Sequence, residues 1–136
     1  MALNTRFATA IQALVLLAEE PDKLHQSEKV ARKLDTNSVV IRRIFLDLRK
    51  AGLIKSHKGP SGGSKLARAA KEITLRDIHR AVRLHELLHA PHSSATPGLP
   101  GALKGIFNDA SRAFEKELDQ TTLSQLAKKA QKKSKR

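Results

Sequence analysis

Three groups of residues in this chain have the types and spacing to do chemistry. The first is "HELLH", His85 to His89. Two histidines one helical turn apart can ligate one metal, and Glu86 between them can act as a general base, the arrangement of zinc peptidases. A metzincin would continue with a glycine and then a histidine, where this chain has His92 and Ala95. Glu115 or Glu117 would have to serve as third ligand from a helix with another use. A regulatory zinc or nickel ion on His85, His89 and His92 is chemically simpler, because imidazoles alone can hold either metal. Cationic surroundings oppose a dication there, and ordinary surface histidines beside a loop are the plainer expectation. No enzyme activity and no cofactor are expected.

The second is "HKGPSGGSKLA", residues 57 to 67, with three of the chain's seven glycines in five positions. A phosphate-cradling Walker loop needs lysine followed by a hydroxyl, the one to reach phosphate and the other to bind magnesium. Here Ser64 precedes Lys65, Leu66 stands at the hydroxyl's place, and no helix begins directly afterwards. A β-hairpin tip fits better, with Gly62 and Gly63 supplying positive φ and Pro60 stiffening the approach. The third is the pair Arg42 and Arg43 within "SVVIRRIFLDLRKAG". Arginine donates twice to guanine in a DNA major groove, and a solvated helix face without base contact is the alternative.

Charge favours the nucleic-acid reading. The formal net charge is +13, and Lys128, Lys129, Lys132, Lys133, Lys135 and Arg136 crowd the C-terminus. Such a balance points to a polyanionic partner, although a basic surface can serve solubility alone. No run of about 18 apolar residues and no signal peptide are present, so no membrane and a cytoplasmic location are expected. The absence of cysteine excludes disulfides and thiolate-held metal clusters.

At 136 residues the chain is most simply one domain with a modest core. A first helix is expected over "NTRFATAIQALVLLAEE", with Phe7, Ile11, Leu14 and Ala18 on one face and Leu17 beside them. Ser27 has the type of an N-cap for a short second helix bearing Val30, Ala31 and Leu34. The turn-prone "DTN" follows, and Asn37 can cap a third helix with Val40, Ile41, Ile44, Phe45 and Leu48 inward and Gly52 as its stop. Two helices across so short a turn read as helix-turn-helix. "LIKSH" and "SKLA" are strand candidates on either side of the glycine loop. Thr74 with Asp77 fits a capping box, and Ile73 with Ile78 a hydrophobic staple, for a fourth helix.

"HAPHSSATPGLPG" reads as a loop. After it Leu103, Ile106, Phe107, Ala110, Phe114 and Leu118 form a stripe on a long helix, and Thr122 with Gln125 caps a last one. Helix, helix-turn-helix and hairpin in this order describe a winged helix, so the expected fold is mainly α with a small β-hairpin. The domain organisation is a winged helix-turn-helix over residues 1–84, a linker over 85–101, dimerisation helices over 102–127 and a disordered basic tail over 128–136.

"TRFATAIQALVLLA", "EITLRDIHRAV" and above all the run L-x-K-A-G-L-x-x-S-x-x-G-P-x-G-G from Leu48 to Gly63 resemble the Rrf-two (Rrf2) family of bacterial winged-helix transcription regulators. The resemblance spans nearly the whole chain and implies a homodimer built through the long C-terminal helix on a palindromic operator. It also implies that Lys58 enters a minor groove. Where Ser64 stands the family usually has an aromatic, and some relatives carry an acidic residue at the position of Arg42. The family's sensing members hold an iron-sulfur cluster by cysteines in the loop after the fourth helix. This chain has none, Leu99 lying near one such place, which resembles the cysteine-free branch whose signal is a protein partner or unknown.

The DNA contacts expected are Asn37, Ser38, Val39, Arg42 and Arg43 in a major groove about 12 Å wide, with Lys58, Gly59, Pro60, Ser61, Gly62 and Gly63 in the wing. A core with four phenylalanines and neither Trp nor Tyr is lean, so the stripe from Leu103 to Leu118 is better used between two copies than as an intramolecular core helix. The function expected is a homodimeric, double-stranded-DNA-binding regulator, more plausibly a repressor than an activator. The alternatives are a sequence-indifferent nucleic-acid binder and, more remotely, the zinc peptidase.

Overall fold

The structure, a computed structural model, describes residues 3–84 and 87–134. In chain order it contains helices α1 (Leu3–Glu19), α2 (Ser27–Lys33) and α3 (Ser38–Lys50), strands β1 (Ile54–His57) and β2 (Gly63–Leu66), a 3-10 turn (Ala70–Glu72), then α4 (Leu75–Val82), α5 (Leu99–Asp119) and α6 (Leu123–Ser134). This is a winged helix followed by a long C-terminal helix.

Spacing decides which face of each helix is buried. On α1, Ala10, Ala13, Leu14 and Leu17 recur every three or four residues and are fully buried, while Phe7, Ile11 and Ala18 sit at the flanks of that stripe. On α3 the buried set is Ile41, Ile44, Phe45 and Leu48, with Val40 partly covered beside them. Asn37 caps α3 as its type suggests, accepting the Val39 N–H on Oδ1 at 2.8 Å. At the other end Gly52 takes a left-handed φ of 78°, which lets the Leu53 N–H return to the Leu48 carbonyl at 3.0 Å. The turn between α2 and α3 is closed by Asp35 at φ 52°, a conformation that aspartate tolerates better than most side chains.

Ser27 does not cap α2. The N-cap is Gln26, in extended conformation and without a side-chain cap, and Ser27 is the first helical residue. The cause lies far along the chain. His25 exchanges two backbone hydrogen bonds with Ser64 of β2, at 2.8 and 2.9 Å, so residues 25 and 26 are held extended as a one-residue third strand. The hairpin therefore does not hang free. Ser64 is buried, and its hydroxyl meets that of Ser56 at 2.8 Å. Ser64 is thus held from both sides, by the Ser56 hydroxyl and by the His25 backbone.

Of the two hairpin glycines expected at positive φ, Gly63 meets the expectation and Gly62 does not. Gly59 and Gly63, not Gly62, adopt positive φ, at 111° and 154°. Gly62 is required by space, because a Cβ there would lie 2.1 Å from the His57 carbonyl oxygen. At Gly63 a Cβ would fall 2.8–2.9 Å from the backbone of His25, which would break the third-strand pairing.

Both expected capping boxes form: Thr74 with Asp77 at 3.1 and 3.0 Å, and Thr122 with Gln125 at 3.1 and 2.9 Å. Ile73 and Ile78 are both fully buried, as a staple requires. The chain then returns to where it began. The Leu123 N–H donates to the Ile73 carbonyl at 2.7 Å, the Leu123 side chain enters the same core as α1, and α6 packs on α1 and the 3-10 turn. Helix α6 also continues through Lys128, Lys129 and Lys132 to Ser134, where a disordered tail was expected from residue 128. Its cap and a run of alanine, glutamine and lysine, all good helix formers, outweigh the modest repulsion between neighbouring lysines.

These glycine geometries predict opposite outcomes for one kind of substitution. Gly62→Ala is expected to lower stability by about 2–4 kcal/mol. Gly105→Ala, in the middle of α5 with nothing near its added methyl, is expected to raise it by about 0.5–1 kcal/mol. Thermal denaturation of both variants beside the parent checks the pair.

Candidate nucleic-acid interface

The outer surface of α3 carries Val39, 41% exposed, with Arg42, Arg43, Leu46 and Arg49 exposed along the same helix. Among the described residues no carboxylate pairs with Arg42, Arg43, Arg49 or Lys58. The local exception is Asp47, the one acid in α3. It stands four residues after Arg43, a spacing at which opposite charges pair on a helix. Asp47 is instead bound by Arg6 of α1, whose guanidinium also donates from Nε to the Val82 carbonyl at 2.9 Å. Arg6 is nearly buried, so α1, α3 and the end of α4 meet on one charge. The outward face of α3 is left purely cationic.

Two expected groups are already engaged. Asn37 spends its side-chain oxygen on the cap, and Ser38 Oγ faces Arg42 Nη1 at 3.4 Å. In the wing, Lys58, Gly59, Pro60 and Ser61 are exposed, whereas Gly62 is buried and Gly63 half-buried where the loop enters β2. Gln26 Nε2 reaches the Pro60 carbonyl at 3.4 Å, which ties the start of α2 to the wing tip.

The surface extends beyond the residues singled out from sequence. A groove of about 350 Å³ between α3 and β1 brings Ser27, Arg42, Leu46, Arg49 and His57 together. A second, of about 230 Å³ between α2 and the wing, is lined by Lys23, Lys29, Lys33 and Ser61. Arg49 was legible as two turns beyond Arg42. The lysines of α2 carry no local signal, because only the third-strand pairing at His25 brings that helix beside the wing.

The arginines of α4 are in a different state. Glu115 of α5 accepts from Arg80 at 3.1 and 2.7 Å and lies 3.7 Å from Arg76 and 3.6 Å from Arg83. The Arg80 hydrogen bonds hold its carboxyl below the usual glutamate range. His79, also on α4, is buried between Phe7 and Phe114, edge to face with ring centroids 5.2 and 5.1 Å away. Burial and then the nearby Arg83 charge push its pKa below that of a free imidazole, with Arg80 adding to the shift and Glu115 opposing it.

The histidine motif does not assemble a metal site among the described residues. His85 and Glu86 lie outside them, residues 87–92 are not helical, and His89 and His92 belong to no group of three potential ligands. Of the carboxylates that could complete a zinc set, Glu115 is committed to arginines and Glu117 is exposed. The glycine loop is followed by a strand rather than a helix, so it offers phosphate no row of helical amides.

Along α5, Leu103, Phe107, Phe114 and Leu118 of the expected stripe are half-buried, while Ile106 is 61% exposed and Ala110 exposed. The half of the stripe around Phe114 faces α4. Leu99, Leu103, Ile106 and Ala110, spaced by four, three and four residues, make a second apolar seam that is largely open.

With this geometry in view, known proteins give a consistent likeness. The family model Rrf2, described as an iron-dependent transcriptional regulator, matches residues 3–129. The Bacillus subtilis protein YwnA, carried by name among HTH-type transcriptional regulators, is 35% identical over 127 residues, covering 89% of this chain and 93% of that protein. The HTH-type transcriptional regulator IscR of Cereibacter sphaeroides is 35% identical over 108 residues, covering 77% and 67%. The solved structure of T. potens IscR superposes with a TM-score of 0.71 at 27% identity, covering 96% of this chain and 88% of that one. The iron named in the family description finds no thiolate here: the chain contains no cysteine, and the described residues offer no three-ligand group. The residues present do not fit a cysteine-held iron centre.

His79 makes stability depend on pH with a defined sign. Its folded pKa is lowered, so the unfolded chain binds the extra proton first as pH falls. The stability of the neutral form is complete above the unfolded value near 6.5 and declines below it, levelling once pH passes the folded pKa. Thermal denaturation from about pH 7.5 to about pH 5 is expected to show this decline, reduced in His79→Phe. An equal decline in that variant would assign it elsewhere.

Proposed function

Because the chain belongs to the Rrf2 family of transcriptional regulators and carries their DNA-binding winged helix, and not an enzyme's site, we propose that it acts as a homodimer on a palindromic operator and represses transcription there. The observation that carries this reading is the segregation of charge: among the described residues the arginines of α3 face outward with no carboxylate partner, while those of α4 are tied to Glu115. An outward cationic helix of this width fits a major groove. Arg42 and Arg43 read base edges, with arginine to guanine the favoured pairing, and Val39 offers an apolar contact to a thymine methyl. Asn37 and Ser38 hold the helix start near phosphate. In the wing Lys58 enters or borders the minor groove, with Gly59, Pro60 and Ser61 presenting backbone beside it. Gly62 and Gly63 shape the turn into β2 and act through it.

The dimer rests on α5. Burying the seam of Leu99, Leu103, Ile106 and Ala110 against its copy covers an apolar surface that one chain leaves open. Two such chains present two copies of α3 to two half-sites, which is what makes the operator symmetric. A dimer seated on an operator blocks polymerase sterically, so repression needs no further contact. The site of action is the cytoplasm, where bacterial DNA lies; among the described residues no helix is long and apolar enough to cross a membrane.

Selection of bound fragments from random duplex DNA by the full-length protein tests this directly. A two-fold symmetric consensus, preferred over random duplex by roughly 10³ or more, is expected. Loss of preference, with binding governed by salt alone, would instead favour a sequence-indifferent binder. On the selected site Arg42→Ala is expected to cost about 1–3 kcal/mol and relax one base position, while Lys58→Ala weakens all sequences alike. Ile106→Glu is expected to give a monomer by analytical ultracentrifugation and to lose the symmetric site.

A further inference from the structure

The arginine cluster between α4 and α5 has more hydrogen-bond donors than acceptors. Arg76, Arg80 and Arg83 converge on Glu115, with Asp119 3.9 Å from Arg76 as a second carboxylate, and each guanidinium has more N–H donors than a carboxylate has lone-pair sites. The shortage is visible in the bonding. Arg76 Nε and His79 Nδ1 are buried without a hydrogen-bond partner, the first lying 3.7 Å from a Glu115 oxygen and not bonded to it. A buried polar group left unpaired is costly, so the cluster as a whole favours a further acceptor.

Beside this cluster lies a cleft of about 360 Å³. Among the described residues its walls hold three arginines, Arg80, Arg83 and Arg112, against one carboxylate, Glu115, with His79 in the wall and Asn108 and Ser111 as neutral polar groups. Leu87, Leu88 and Phe114 supply an apolar side. Arg112 pairs with Asp109, but both side chains are about three-quarters exposed, and so open a pair yields readily to a better-desolvated anion. The volume falls within the range of small-molecule sites, and an apolar wall with a few convergent polar groups is their usual composition.

We propose that this cleft binds a small organic oxyanion, its carboxylate or phosphate taken by the forks of Arg83 and Arg112 and its apolar body lying against Leu87, Leu88 and Phe114. Arginine binds either group through two parallel hydrogen bonds, which is why the shared chemistry rather than one of them is assigned. The placement gives the site a route to the rest of the molecule. His79 in its wall touches Phe7 on α1 and Phe114 on α5, so a ligand there bears on the contact between the DNA-binding body and the helix assigned to dimerisation. An effect on DNA affinity rests on the regulator reading given above; occupancy of the cleft does not.

The test is therefore run without DNA. The full-length protein is titrated separately with benzoate and with phenyl phosphate, and arginine side-chain ¹H–¹⁵N resonances are followed. Saturable binding of at least one probe is expected, with shifts at Arg83 and Arg112 and affinity reduced roughly tenfold or more in Arg83→Gln and in Arg112→Gln. Both positions are exposed, so folding is retained. Lys129→Gln, the same charge change on α6, is expected to bind as the parent does. A response to benzoate alone identifies a carboxylate ligand, and to phenyl phosphate alone a phosphate ligand. No saturable binding of either probe in the millimolar range would overturn the proposal, as would an equal loss in Lys129→Gln. If binding holds but selected DNA shows no symmetric site, the regulator reading fails and the anion site stands.

Discussion

One nearly buried guanidinium organises the face on which this protein's function depends. Arg6 joins α1 to Asp47 of α3 and to the last carbonyl of α4, and so sets the angle at which α3 leaves the body. It also decides charge. Without Arg6, Asp47 would be the natural partner of Arg43 one turn earlier on the same helix, and the outer surface would be partly neutralised. Removing one member of a partly buried ion pair leaves the other desolvated and uncompensated, at a cost of up to about 3–5 kcal/mol, so the arrangement is held firmly. The body thus consumes the one acid of α3 and, among the described residues, leaves Arg42, Arg43 and Arg49 without a carboxylate partner. Packing, electrostatics and DNA recognition meet in that one interaction.

The wing follows the same logic of a distant contact imposing local form. The backbone pairing of His25 with Ser64 holds the approach to α2 extended, brings Lys29 and Lys33 beside the hairpin and demands glycine at position 63. Reading helix, wing and the start of α2 are consequently parts of one rigid surface rather than three independent attachments. At the opposite side of the body, α6 closes the fold by placing Leu123 in the core, and α5 is left projecting with no fully buried residue of its own. A helix of 21 residues in that condition is where a second copy has most apolar surface to cover.

How much of this was legible in the sequence depended on the range of the interaction. Asn37, Gly52 and both Thr-led capping boxes act within one helical turn, and each did what its residue type announces. The stripes of α1 and α3 were legible for the same reason, since periodicity is local. Ser27 was misplaced as a cap because the bond that holds His25 comes from 39 residues away. Gly62 was assigned a positive φ when its need is steric clearance from His57, which depends on hairpin closure. Arg6 and the lysines of α2 carry no local signal because only tertiary contacts give them a role, whereas Arg49 follows Arg42 by two turns and its place was readable from spacing alone. Of HELLH, His85 and Glu86 lie outside the described residues; among the described residues, 87–89 are not helical and no group of three potential ligands forms, so the motif's spacing gains no support from the fold.

The central claim is that two copies of the cationic face of α3 read two halves of one DNA site. Hydroxyl-radical footprinting of the full-length protein on a bound duplex measures this geometry most directly. The account predicts two protected patches related by a dyad, their centres about 34 Å or a whole multiple of a helical turn apart. A single unsymmetrical patch, or even protection along the whole duplex, would contradict it.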